Sequence, residues 1–185
     1  MELYSAILYA HIVCAMGMAA AVAILMVQEA AARKASTPGE LRTILERDER
    51  TASFMKAMAL VLVASGLYMA HALGSIGAPW VIAALIVFVY LASTGPLVFG
   101  RRMRNATEAA TSAGAITPAV RQMLNDPVIA TMARQRVALL GLLPFLMTTK
   151  PGWGVTLAAF VTALALGALS GVLLPQKSRE ATEAT

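Results

Sequence analysis

From Leu3 to Val27 the chain carries no charged side chain. A helix needs about 20 predominantly apolar residues to cross about 30 Å of hydrocarbon, so this run alone points to a bilayer. Three more runs of the same kind follow: Ala57 to Gly77, Trp80 to Gly100 and Val155 to Leu174. Only 14% of the 185 residues are charged, against 58% hydrophobic. Soluble domains carry about 25% charged residues, so this chain lacks the charges for a polar shell. That excludes a soluble enzyme, a nucleic-acid-binding domain and a disordered chain. One cysteine, Cys14, excludes a disulfide framework and a multi-thiolate zinc site.

Val137 to Thr149 is apolar but short for a span. Asp126-Pro127 ahead of it is a helix start, a capping acid with proline at the first helical position. A helix from Pro127 to Thr149 is long enough to cross, with Arg134 and Arg136 snorkelling to headgroups and Pro144 kinking it. The positive-inside rule then sets the topology. Five spans, at about 3–27, 57–77, 80–100, 134–149 and 155–174, put 14 of the 15 basic residues on one side, in internal loops 28–56 and 101–133, at the start of the fourth span (Arg134 and Arg136) and in the C-terminal tail with Lys177 and Arg179. Lys150 alone is outside. The expected fold is an all-α transmembrane bundle in one membrane domain, residues 1–185, N-terminus outside and C-terminus inside. Trp80 and Trp153 fall at expected outer ends, where an interfacial belt holds them. The first run lacks the basic start of a cleaved signal and is too long for one.

The internal loops contain helix starts. Thr37-Pro38-Gly39-Glu40 is a capping-box pattern and Thr117-Pro118 opens a similar short helix. Half of the acids (Glu29, Glu40, Glu46, Asp48, Glu49) lie in the first loop beside bases and read as solvated helix. Small residues at every fourth position let membrane helices approach closely. Ala15, Ala19 and Ala23 form such a face in span one, Gly66, Ala70 and Gly74 in span two, and Ala163, Gly167 and Gly171 in span five. These faces suit packing within the bundle, a homo-oligomer, or a membrane-protein partner.

Chemistry concentrates on two histidines. An ionisable group inside the membrane marks a functional candidate, and His11 and His71 both lie in apolar spans. If spans one and two pack directly, the two imidazoles face each other in the outer half. Spans two and three, joined by a short turn, are expected to be neighbours too. Two histidines from adjacent helices suit the axial sites of haem b. Cys14 and Met18 share a helix face with His11, and imidazole, thiol and thioether suit copper(I). No catalytic constellation, phosphate loop or intramembrane acid is present. Lys150 is available to an anionic group or to solvent.

The segments LYAHIVCAMGMA with His11, SGLYMA in span two, GRRMR after span three and FLMTTKPG closing span four are similar to those of the copper-resistance D-like small membrane proteins of bacteria. Ala15, Met16 and Gly17 stand where a tryptophan–glycine pair often follows that histidine. The resemblance implies a helical bundle whose span-one histidine binds copper or haem. The reading of the sequence is therefore a multi-pass protein of a bacterial plasma membrane with a metal-handling or electron-transfer role. Its cofactor residues are His11 and His71 for haem, or His11, Cys14 and Met18 for copper. A non-catalytic accessory subunit of a membrane complex is the alternative, and a metal permease a third class.

Overall fold

The computed structural model describes residues 2–173, and all regular structure within them is helical. The helices are α1 (Glu2–Lys34), α2 (Pro38–Ala72), α3 (Pro79–Thr94), α4 (Arg101–Ala113), α5 (Pro118–Leu124), α6 (Pro127–Thr149) and α7 (Trp153–Leu173). A π-helical turn, Gly95–Gly100, joins α3 to α4. The starts follow local chemistry. Thr37 Oγ1 accepts from the Glu40 amide at 3.2 Å, while Glu40 Oε2 reaches back to the Ser36 amide at 2.7 Å. Thr117 caps α5 through the Val120 amide, and Asp126 caps α6 through the Val128 amide. Each cap precedes a proline at the first helical turn, where a missing N–H costs nothing. At its other end α2 stops at Gly74, whose φ of +61° is open to glycine without strain.

By length and composition α1, α2 and the stretch Pro118–Thr149 are long and apolar enough to cross a membrane, while Pro79–Thr94 and Trp153–Leu169 are shorter apolar helices. The segments expected as internal loops are largely helix. α1 runs on past its apolar part to Lys34, and α2 begins nineteen residues before Ala57. The basic tail residues Lys177 and Arg179 lie outside the described residues.

The bundle has two parts. α1 and α2 form an antiparallel hairpin along their whole length, and α3, α6 and α7 form a second group. In that group Val87, Leu139, Leu142, Leu146 and Ala163 make a buried core. Gly167 allows α7 to lie directly on α6, since a Cβ there would stand 2.8 Å from the Gln135 Cα. Ala163 and Gly167 of the small-residue face are thus used within the chain. Tyr90 of α3 donates to Gln135 Oε1 at 2.9 Å and closes the group.

One expectation fails here. α2 and α3 leave the turn at 73–78 in different directions, and α3 packs on α6 and α7 instead of α2. The two parts meet at the basic end of the molecule. There Ala32, Ala35, Leu41, Phe99, Met103, Ala106, Ala110, Val120, Leu124 and Ile129 form a second core. Arg121 of α5 donates to the Arg33 carbonyl at 2.6 Å and so caps the end of α1.

Candidate functional site

The α1–α2 hairpin carries polar contacts at two levels. The first is in its apolar part. His11 Nδ1 lies 2.9 Å from Ser65 Oγ, and Gly66 lets the ring lie flat on α2, with its Cβ position only 3.1 Å from Cε1. Ser65 Oγ is also 2.6 Å from the Val61 carbonyl oxygen and 3.1 Å from that of Leu62. Those carbonyls only accept, so the hydroxyl proton goes to them. Ser65 then accepts from His11 Nδ1–H.

Cys14 follows one turn later on the same side of α1 and is buried, while Met18 is half-buried. His71 is exposed. It stands six residues beyond Ser65, about 120° around α2 at about 100° per residue. The hairpin therefore brings His11 to Ser65 and Gly66 rather than to His71. Among the described residues no three of His, Cys, Asp or Glu are grouped to hold a metal ion. Lys150 lies with its ammonium 5.8 Å from the Trp80 ring centroid, a cation–π contact at the tryptophan end.

The second level lies past the inner limits of the apolar runs, where the sequence suggested solvated helix. Glu29 and Asp48 are instead buried, at 4% and 7% exposure. Nor does Arg136 of α6 snorkel. It is 7% exposed, its Nη1 donates to Glu29 Oε1 at 3.2 Å, and its guanidinium stands 5.7 Å from the Phe99 ring centroid. One arginine thus faces two acids. Glu29 has the direct contact. Asp48 has none, and both its carboxylate oxygens are buried without a partner, as is Gln28 Oε1. Burial pushes the Asp48 carboxyl up from 3.8 to about 7, the Glu29 charge adds to this and Arg136 opposes it. Burial likewise raises Glu29, against the pull of Arg136 and Arg33. A crevice of about 10 Å³, room for about one water, borders Glu29, with Arg33, Arg102, Phe99 and Met103 among its walls.

The sequence held a signal for this layer. Leu25, Glu29 and Ala32 lie at i, i+4 and i+7, as do Leu41, Leu45 and Asp48, so each acid continues a buried apolar stripe. Arg136 carries no such mark, because its partner is 107 residues away.

Residues 5–151 match a family described as predicted integral membrane protein (DUF2269). Nothing among curated proteins and nothing among solved structures shows significant similarity. The match covers well over half of the chain, which therefore belongs to that family.

Proposed function

We propose that this member of a predicted integral membrane protein family is a metal-handling protein that binds copper(I) through His11, with Cys14 and Met18 as the sulfur donors. The observation that carries the reading is the His11–Ser65 bond. Metal-binding histidines as a rule donate their second ring N–H to a neighbouring group, which fixes the tautomer and raises the basicity of the ligating nitrogen. Ser65 serves that purpose for Nδ1, and Nε2 keeps its lone pair. The donor set fits a soft ion, since imidazole, thiol and thioether share one side of α1. The resemblance to copper-resistance D-like proteins at the same histidine agrees. A haem held between His11 and His71 fits less well, because the two rings do not share a face of the hairpin.

The setting of this reading is a bacterial plasma membrane crossed five times, N-terminus outside. Its support is the distribution of basic residues, and reporter fusions at Leu3 and Thr185 test it; an external C-terminus overturns it. The cofactor test is purification with copper(I) and with haem supplied separately. One copper per chain is expected, lost in His11→Ala and weakened in Cys14→Ser and Met18→Leu. A Soret band that disappears in His11→Ala replaces copper with haem. Protein that takes up neither makes His11 structural, and the accessory-subunit reading takes over.

A further inference from the structure

The fully buried charges of the layer at the basic end of the hairpin are two acids, Glu29 and Asp48, and one base, Arg136, with half-buried Arg33 acting on Glu29 from α1. Among the described residues, three buried side-chain polar atoms lack a partner: Gln28 Oε1, Asp48 Oδ1 and Asp48 Oδ2. All three are acceptors. The helix register puts them at one level of the hairpin. Gln28 lies seventeen residues along α1 from His11, and Asp48 lies seventeen residues back along α2 from Ser65, the partner of His11. In an antiparallel pair those positions are level. We propose that Gln28, Glu29 and Asp48 form a proton-binding site in which the Asp48 carboxyl holds one proton and donates it to the Gln28 amide oxygen.

An ionised carboxylate buried without a hydrogen bond costs several kcal/mol. Arg136 does not relieve it, since its contact is with Glu29 at 3.2 Å. Other charges near the layer are Arg33, which faces Glu29 from α1, and the exposed pair Arg104 and Glu49 at 3.9 Å, where α4 meets α2. None of them makes a contact with Asp48. One proton answers both needs, because it removes the Asp48 charge and gives Asp48 a donor for the Gln28 amide oxygen. A divalent cation prefers six or more oxygens and would stand beside the Arg136 guanidinium. The site is independent of the metal reading, for seventeen residues of helix separate it from His11 by about 25 Å.

The chain has two aspartates, Asp48 and Asp126, so the test is direct. The full-length protein is labelled with carboxyl-¹³C aspartate in detergent and its two carboxyl signals are followed from pH 4 to pH 9. Loss of one signal in Asp126→Asn leaves Asp48 identified, even if Asp48→Asn fails to fold. The expected result is an Asp48 signal that titrates near neutrality, at least two pH units above an ordinary aspartate. The same curve should appear in sodium, potassium or choline chloride at fixed ionic strength. An ordinary midpoint near pH 4 overturns the proposal. A midpoint that moves with sodium or potassium concentration overturns it too, and assigns the site to a metal cation.

Discussion

The two polar levels of the α1–α2 hairpin solve opposite problems. In the apolar part, His11 and Ser65 satisfy each other, and the Val61 carbonyl takes the hydroxyl proton. That contact is satisfied within the hairpin. At the basic end, Glu29, Asp48 and Arg136 are buried more deeply than half-buried His11, yet the Asp48 carboxylate finds no partner. What marks the reactive group is the count of donors against acceptors and of positive against negative charge.

The comparison breaks most visibly at Arg136. Arg136→Met should cost about 3–5 kcal/mol, since it leaves buried Glu29 without its ion-pair partner. Unfolding in mild detergent measures it, and Glu29→Gln added to Arg136→Met should recover much of the loss. A cost below about 1 kcal/mol would mean that the layer is wet and its burial irrelevant.

Next in size is the pH dependence. Asp48 rests at about 7 in the folded protein against 3.8 as its ordinary value. Between those values the folded state holds a proton that the unfolded state has released. The Asp48 contribution to stability therefore falls as pH rises from about 4 to about 7, and is level beyond, where both states are ionised. Melting temperatures of the wild type relative to Asp48→Asn should follow that course. A difference that is flat across this window contradicts the assignment.

Two smaller effects sharpen the contrast. Thr37→Ala should cost about 1 kcal/mol by removing the α2 cap, and because Thr37 starts the helix that carries both Asp48 and Ser65, it should weaken the two levels alike. Ser65→Ala should cost about 0.6 kcal/mol, the usual worth of a hydrogen bond between membrane helices. It should also release the tautomer of His11, which the ¹⁵N shifts of the ring report. An unchanged Nδ1 signal would remove the argument for Nε2 as a ligand.

Much of the helical frame was legible in the sequence, because its signals are local. Uncharged runs of about 20 residues, Thr-Pro and Asp-Pro starts and Gly74 act within a few positions of themselves. The His11 contact with span two was legible only as a direction. His11 does turn to α2, but Ser65 and Gly66 receive it, since the register of a long hairpin depends on how α2 begins at Pro38. The Glu29–Arg136 pair was not legible. It joins the end of α1 to α6 through a fold in which α3 turns away from α2, and nothing near Arg136 in sequence announces that. The acids themselves were readable as continuations of the Leu25 and Leu41 stripes, and a charge beside other charges hid them.

The π-helical turn leaves no loop between α3 and α4, so Pro79 to Ala113 is one continuous helical rod. Its first half carries Ala83 and Val87 in the core with α6 and α7, and its second half carries Met103, Ala106 and Ala110 in the core at the basic end. Phe99 sits at the joint, against Arg136. One helix therefore contributes to both cores, and the Phe99–Arg136 contact stands where its two halves meet.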